Sequence, residues 1–224
     1  MKILVIQQKR IGDVLTSTIL SNNLKQKYPN AQVDYMCYAN CVDVLKNNPN
    51  IDNIIVLEEK VRKNYLSLFQ FIFKIRSTKY DAVIDAYSKL ETNLITLFSG
   101  AKYKISYKKG YSNIERLKNG TKSDIGLAII NRLRLLKPLI EEEITDYKPK
   151  VFLTDLEINQ AKEMLSKFPL KTDKPTFMIG ILGSEWYKTY PFEKMAELLD
   201  FTVQTTDANL LFNYIPKQKE DAQK

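Results

Sequence analysis

The chain begins Met1-Lys2-Ile3-Leu4-Val5-Ile6, and its four successive apolar residues lead into the polar turn Gln7-Gln8-Lys9-Arg10. A short run that is apolar throughout is typical of a central parallel strand that is covered on both faces. From residue 13 to residue 28 the apolar residues recur at helical spacing. We therefore interpret this stretch as the first strand-and-helix unit of an α/β sheet.

The same order of strand and helix recurs as far as residue 100. Further strands are predicted at residues 33–38, 54–57 and 81–85, and helices at residues 41–47, 61–77 and 90–98. An edge strand is expected at residues 102–107, and a helix at residues 123–136 with Ser123 as its N-cap. Alternation of this kind predicts a parallel α/β sheet.

A second unit of the same kind is predicted nearer the carboxyl terminus. It has a strand at residues 176–182, a helix from Pro191 to residue 199, and a strand at residues 209–214 with no element after it. Two parallel strands with one helix cannot cover their apolar faces, so we expect further structure to pack on them or the chain to continue. The predicted organisation is an acceptor-side domain at residues 1–150, a crossing at 151–174 and the start of a donor-side domain at 175–224.

The composition of the chain excludes several kinds of chemistry. There is no histidine among the 224 residues, which rules out a Ser-His-Asp triad and a histidine general base. Two cysteines, Cys37 and Cys41, are too few for a closed zinc site and are interpreted as buried thiols, and no metal site is predicted. Neither a signal peptide nor a membrane-spanning segment is recognisable, so we expect a cytoplasmic protein.

The positive charge of the chain is concentrated in one segment. Residues 100–137 contain ten basic and two acidic side chains, a balance of +8 that equals the net charge of the whole chain. Such a segment attracts phosphorylated sugars, nucleic acid or an acidic membrane surface, although a solvated face is an equally good interpretation of the charge pattern alone.

Two turns that follow apolar strands contain residues suited to a binding site. Asp13 begins the first helix, where it could serve the chemistry of a site at the carboxyl end of the strands or simply cap the helix. The turn from Gly183 to Pro191 combines a glycine, the hydroxyl of Ser184, Lys188 and a helix start, which are the parts of a phosphate cradle. A plain surface loop would account equally well for the second turn.

Six segments carry a resemblance to a known family. They are Arg10-Ile11-Gly12-Asp13-Val14-Leu15-Thr16-Ser17-Thr18, Tyr28-Pro29 with Ala31-Gln32-Val33-Asp34-Tyr35, Tyr80-Asp81-Ala82-Val83-Ile84-Asp85, Ser99-Gly100-Ala101-Lys102-Tyr103-Lys104-Ile105, Ile179-Gly180-Ile181, and Lys188-Thr189-Tyr190-Pro191. In this order, over nearly the whole chain, they resemble glycosyltransferase family 9, the heptosyltransferases of lipopolysaccharide core synthesis.

The resemblance implies a GT-B fold, with two Rossmann-like domains that face each other across a cleft, and an inverting, metal-independent transfer. The family's catalytic base falls on Asp13, and its donor-phosphate residues fall on Gly183, Ser184 and Lys188. The acceptor, an anionic lipid-linked core glycan at the cytoplasmic face of the inner membrane, is expected to meet Arg10, Gly12, Lys102, Lys104, Lys108 and Lys109. The implied donor is a nucleotide sugar, ADP-heptose, and no other cofactor is implied.

Other functions stay open at this point. The family pattern continues beyond residue 224, so the donor pocket is expected to be incomplete and the chain alone to transfer little sugar. A non-catalytic module that binds anions or glycans is therefore the alternative to a transferase. Nucleic-acid binding ranks last because no recognised motif accompanies the basic segment. The apolar helical face at residues 65–73 is interpreted as core packing, with membrane contact as its alternative.

Overall fold

The computed structural model describes residues 1–8, 10–107, 126–142, 144, 146–171, 173–183 and 185–222. The chain forms two compact units, Met1–Thr154 and Asp155–Lys224. The predicted helix at 123–136 is described only from residue 126 onwards, so Ser123 lies outside the described residues.

The first unit contains a parallel sheet of five strands. They are β1 (Lys2–Ile6), β2 (Gln32–Cys37), β3 (Asn53–Val56), β4 (Ala82–Asp85) and β5 (Tyr103–Ser106), in the spatial order β3-β2-β1-β4-β5. All four neighbouring pairs are parallel, as the alternation of strands and helices predicted. The chain winds outwards from β1 in both directions, and such a reversal of strand order leaves a crevice at the carboxyl ends of the central strands.

The helices of the first unit are α1 (Ile11–Lys27), α2 (Glu59–Lys63), α3 (Tyr65–Ser77), α4 (Leu90–Phe98) and α5 (Leu127–Leu133). The single helix predicted at 61–77 is broken at Asn64, whose side chain accepts a hydrogen bond from the amide of Ser67 at 3.1 Å and so caps α3. The helix predicted at 41–47 is wrong. A 3-10 turn at Ala39–Cys41 overlaps only its first residue, the residues after it form turns, and Asn47 adopts a positive φ of 60°, which no helix continues through.

The core of the first unit lies on both faces of the sheet. Ile3 and Val5 pack in one cluster with residues of α1, while Leu4 and Ile6 pack in another with residues of α3 and α4. The prediction of a central strand covered on both sides is therefore confirmed. The cysteines are also buried free thiols as predicted, and burial raises the pKa of Cys37 to about 12.

The second unit contains α6 (Asp155–Ser166), β6 (Thr176–Gly180), α7 (Phe192–Thr205), β7 (Asn209–Asn213) and α8 (Lys219–Ala222). The strands β6 and β7 form a parallel pair. The prediction that no element follows the last strand is wrong, because a 3-10 turn begins at Pro216, a residue well suited to the first position of a helix, and leads into α8. Among the described residues of this unit only Ile181 is buried, so the apolar faces of its two strands are largely uncovered, as expected.

Candidate functional site

The loops that follow β1 and β4 meet at the carboxyl edge of the first sheet. The amide of Ala86 donates to the carbonyl of Ile6 at 2.9 Å, and the side chain of Gln7 donates back to the carbonyl of Ala86 at 3.0 Å. These bonds fix the crevice between the two central strands, where ligands bind in open α/β sheets. The first turns of α1 begin directly beside it, because α1 follows β1 after a short loop.

Asp13 lies in the first turn of α1, and it is not the helix cap. The N-cap position is occupied by Arg10, whose side chain makes no capping hydrogen bond, so the interpretation of Asp13 as a simple cap is wrong. The Asp13 carboxylate instead accepts a hydrogen bond from the guanidinium of Arg132 in α5, with 2.9 Å between Oδ1 and Nη2. The side chain of Asp13 is 28% exposed and that of Arg132 is 8% exposed, so the carboxylate can be reached from solvent.

Arg132 is held by several partners besides Asp13. Its Nε donates to Ser17 Oγ at 2.6 Å, and its Nη1 donates to the carbonyl of Ala128 at 2.7 Å. The hydroxyl of Ser17 donates in turn to the carbonyl of Asp13 at 2.8 Å. A planar guanidinium bound at three nitrogens has one orientation, so the Asp13 carboxylate is fixed as well.

In the sequence, Arg132 is recognisable only as one of the ten basic side chains of residues 100–137. The available signal was its place in the apolar pattern of the predicted helix at 123–136, since a charge on a buried face requires a partner. Nothing in the sequence named that partner, because Asp13 is 119 positions away.

Tyr107, which follows β5, adds a phenol near these charges. Its amide donates to Ser88 Oγ at 3.2 Å, and Asp85 Oδ1 accepts the amide of Ser88 at 2.8 Å. Burial raises the pKa of Tyr107; Arg132 acts in the opposite direction, while the carboxylates of Asp85 and Asp13 raise it further. The phenol therefore stays protonated near neutral pH and can donate a hydrogen bond.

A pocket of about 420 Å³ opens farther along the same edge, after β2 and β3. Its lining includes Tyr38, Asn40, Glu59 and Arg62. The guanidinium of Arg62 lies 5.6 Å from the centre of the Tyr38 ring and also donates to its hydroxyl at 3.3 Å. Burial raises the pKa of Tyr38 to about 12, so this hydroxyl also remains protonated.

The predicted acceptor residues do not all lie at this edge. Arg10 is exposed at the start of α1, and Gly12 lies next to Asp13, where no described residue beyond the adjoining part of α1 comes within 4 Å of the position that a Cβ would occupy. Lys104, by contrast, lies in the edge strand β5 in register with Val83, and its Nζ donates to the carbonyl of Leu97 at the end of α4 at 2.7 Å. Lys102 precedes β5, at the amino end of the sheet. Lys108 and Lys109 lie outside the described residues.

The loop after β6 in the second unit is closed by its own hydrogen bonds. The amide of Gly183 donates to Thr189 Oγ1 at 3.1 Å, and its carbonyl accepts from Gln218 Nε2 at 2.9 Å. A Cβ at Gly183 would lie 2.5 Å from the carbonyl oxygen of Lys188, so only glycine fits. Lys188 is exposed, with its Nζ 5.5 Å from the ring of Tyr187, and Ser184 lies outside the described residues.

A pocket of about 910 Å³ is formed by this loop and the start of α7. Several of its lining residues were not predicted as site residues, among them Trp186, Thr189 and Gln218. Trp186 is 86% exposed and is the single tryptophan of the chain. A lysine beside an open pocket rich in aromatic side chains can bind a group that combines a phosphate with a planar ring.

The fold of these units defines the class of protein. It is the GT-B fold of glycosyltransferases, seen in the solved glycosyl transferase family 9 protein of Veillonella parvula, with a TM-score of 0.77 at 23% identity over 99% of this chain and 64% of that one. Escherichia coli heptosyltransferase WaaC, solved with ADP-2-deoxy-2-fluoro heptose, matches with a TM-score of 0.63 at 16% identity, over 100% of this chain and 72% of that one.

The family model for glycosyltransferase family 9 (heptosyltransferase) matches residues 68–224, and the chain belongs to this family. It is 24% identical over 217 residues to lipopolysaccharide heptosyltransferase 1 of Campylobacter coli, which covers 91% of this chain and 61% of the relative. The chain spans between 44% and 61% of the length of the curated relatives that it matches. Within the part that the structure describes, no helix has both the length and the apolar character that crossing a membrane requires.

Proposed function

We propose that this protein transfers a heptose-like sugar from a nucleotide-sugar donor, ADP-heptose, to a hydroxyl of a lipopolysaccharide-core or related lipid-linked glycan. The observation that carries the proposal is the partly exposed Asp13 carboxylate, fixed by Arg132 at the carboxyl edge of the sheet. Family membership supports the reaction class, and the ligand named for the WaaC structure supports the donor.

In the proposed reaction Asp13 acts as the general base. Its carboxylate takes the proton of the acceptor hydroxyl while the oxygen forms a bond to the anomeric carbon and the nucleoside diphosphate departs with the electron pair of the broken bond. Attack from the face opposite the leaving group inverts the anomeric centre. The family resemblance implies a metal-independent reaction, in which Lys188 would neutralise charge that develops on the departing diphosphate.

Two features of the first unit support an anionic acceptor. Among the described residues, none beyond the adjoining part of α1 fills the space beside Gly12, so a sugar could approach the start of α1 closely, next to the carboxylate of Asp13. Arg10 at the same helix start supplies positive charge at this edge of the sheet, whereas Arg62 in the neighbouring pocket is accompanied by Glu58 and Glu59. Phosphate or carboxylate groups of a core glycan would be bound there, and the protein would work at the cytoplasmic face of the inner membrane.

The test is a transfer assay with ADP-heptose and a deacylated core oligosaccharide, followed by ADP release and by the mass of the glycan product. Asp13→Asn keeps the shape of the side chain and is expected to lower the rate by about 10²- to 10⁴-fold. The matched control is Asp43→Asn, which removes a carboxylate that lies exposed on the same unit. An Asp13→Asn variant that works at the wild-type rate would overturn the assignment of the base.

The alternative is a module that binds the anionic glycan without transferring sugar. The hydrogen bond between Gly183 and Thr189 favours it, because an amide engaged within its own loop is not available to a donor phosphate. Calorimetry with the core oligosaccharide, together with Trp186 fluorescence during titration with ADP, separates the two functions. Glycan binding with no response to ADP and no ADP release would support the module and overturn the transferase.

A further inference from the structure

Helix α3 exposes an apolar face in addition to the one that it buries. Its inner side packs into the core through Leu68, Ile72 and Ile75, as the sequence analysis expected. Its outer side exposes Tyr65, Leu66, Phe69 and Phe73, which are between 53% and 80% exposed. At 3.6 residues per turn these four positions fall within an arc of about 100°, so they form one stripe along the helix.

The stripe is continued by the last turn of α4. Leu97 and Phe98 are exposed there, and the carbonyls of these two residues accept hydrogen bonds from basic side chains. Arg76 Nη1 of α3 donates to the carbonyl of Phe98 at 3.3 Å, and Lys104 Nζ of β5 donates to that of Leu97 at 2.7 Å. We call this region the α3–α4 surface. It consists of Tyr65, Leu66, Phe69, Phe73, Leu97 and Phe98.

The two segments that carry this surface are basic. Residues 64–80 and 92–107 together contain five basic side chains and no acidic one, namely Lys74, Arg76, Lys79, Lys102 and Lys104. Lys104 contacts the surface directly, through the carbonyl of Leu97. Aromatic and aliphatic side chains bordered by lysine and arginine are the composition of a helix that lies in the interface of an anionic bilayer.

We infer that the α3–α4 surface docks on an anionic lipid bilayer, with its aromatic side chains inserted among the headgroups and its basic side chains against lipid phosphates. A second copy of this chain fits the surface less well, because a two-fold contact would bring the same basic border against itself. The long stems of the lysines and arginines let their charged ends reach phosphates while the helix lies in the plane of the interface.

This inference deepens the proposed function, on which it rests only for the lipid-linked nature of the acceptor. The amino end of α3 follows β3 and α2, so it lies at the carboxyl edge of the sheet, beside the pocket that contains Arg62. A bilayer that contacts α3 would hold that edge near the headgroups, from which a lipid-linked glycan projects. The surface would therefore concentrate the protein where its acceptor is anchored.

The test is flotation of the protein with vesicles of phosphatidylcholine alone and with an equal mixture of phosphatidylcholine and phosphatidylglycerol. We expect binding to the mixed vesicles only, weakened by salt. The double variant Phe69→Ser with Phe73→Ser should lower the bound fraction at least about tenfold, because it removes the inserted rings. The matched control is Phe201→Ser, which removes an exposed phenylalanine of the second unit.

A second pair of variants tests the charge. Lys102→Gln with Lys104→Gln should weaken binding to the mixed vesicles, whereas Lys148→Gln with Lys150→Gln, two exposed lysines outside the surface, should not. Circular dichroism confirms that each variant is folded. Binding of the phenylalanine double variant to the mixed vesicles at the wild-type level would overturn the inference. It would also be overturned if the wild type bound no vesicles but formed a dimer in light scattering, and the double variant were a monomer.

The transfer assay with the deacylated, lipid-free acceptor separates this inference from the proposed function. If the phenylalanine double variant loses vesicle binding but transfers sugar to the soluble acceptor at the wild-type rate, docking is supported. Transfer to the soluble acceptor by a wild-type protein that binds no vesicles overturns docking alone. If the wild type binds vesicles but transfers no sugar, docking is supported and the proposed reaction is contradicted.

Discussion

Asp13 and Arg132 are 119 positions apart in the chain, yet their side chains meet at 2.9 Å at the carboxyl edge of the sheet. The pair connects the first turn of α1 to α5, and Ser17 completes the connection through hydrogen bonds to both residues. An arginine that is almost fully buried requires such partners, because an unpaired buried charge is costly. The same contact orients a carboxylate that solvent, and therefore an acceptor hydroxyl, can reach.

Arg132→Lys tests whether this orientation matters for transfer. Lysine keeps the positive charge but lacks the planar fork, so it cannot hold Asp13, Ser17 and Ala128 together. We expect the kcat of transfer to fall by roughly 10- to 100-fold with the KM for donor unchanged, as is typical when a catalytic group is misplaced by about 1 Å.

Arg134→Lys, in the turn that follows α5, is the matched control for this prediction and should keep the wild-type kcat. Steady-state kinetics with the deacylated acceptor measure both variants. A purely structural role for Arg132 would instead lower the free energy of unfolding and leave kcat per folded molecule unchanged, and denaturant unfolding detects this case.

The sheet was the easiest part of the protein to predict from the sequence. The apolar run Ile3-Leu4-Val5-Ile6 is too short and too uniformly apolar for a surface helix, and the positions of the later strands follow from the same pattern and from the turns between them. Helix ends were harder to predict. The break at Asn64 depends on a local side-chain cap, and the residues after Cys41 form turns that end at Asn47, whose φ is positive.

The candidate site was predicted only in part. Asp13 could be placed at the carboxyl edge because it follows the first strand directly, but its partner Arg132 arrives from a distant helix that no local pattern connects to it. Lys104 was grouped with the acceptor residues because the basic segment falls where the family's first domain is expected to meet its acceptor. It lies in the edge strand β5 in register with Val83, and the direction of its side chain towards Leu97 depends on tertiary structure.

Gly12→Ala separates a requirement for space at the ligand from a requirement of the fold. No described residue beyond the adjoining part of α1 lies within 4 Å of the added methyl group, and glycine within a helix costs roughly 0.5–1 kcal/mol relative to alanine. We therefore expect the variant to be as stable as the wild type or slightly more stable in denaturant unfolding. Transfer to the acceptor should nevertheless fall, because the methyl group occupies the space beside Asp13. Unchanged kinetics would show that no ligand approaches Gly12.

Gly183→Ala is expected to have the opposite effect on stability. Its methyl group would lie 2.5 Å from the carbonyl oxygen of Lys188, so the loop has to open or shift, at a cost of roughly 1–3 kcal/mol. Trp186 lies within this loop as the single tryptophan of the chain, and its fluorescence reports the local change directly. The emission of the variant should change at lower denaturant concentration than that of the wild type, and coincident curves would contradict the close approach of Gly183 to Lys188.

The carboxylate of Asp52 makes the stability of the first unit depend on pH. It accepts the amide of Val33 at 2.6 Å and lies 2.8 Å from Lys25 Nζ of α1. Burial alone would raise the pKa of Asp52, but the hydrogen bonds from Lys25 and Val33 outweigh it and hold the pKa below its usual value. A lowered pKa in the folded state means that the stabilisation is complete above the pKa of the unfolded chain and is lost as the pH falls through the folded-state pKa.

Asp52→Asn should therefore lower the free energy of unfolding at pH 7 and have little effect in acid. The side chain is 36% exposed, which screens the ion pair, so we expect a loss of about 1 kcal/mol at neutral pH. Urea unfolding followed by far-ultraviolet circular dichroism at pH 7 and at about pH 2 measures the difference. Asp43→Asn, whose carboxylate is far more exposed, should change neither value. If Asp52→Asn lowers the free energy of unfolding by the same amount in acid as at pH 7, the cause is the lost packing of the side chain and not its charge.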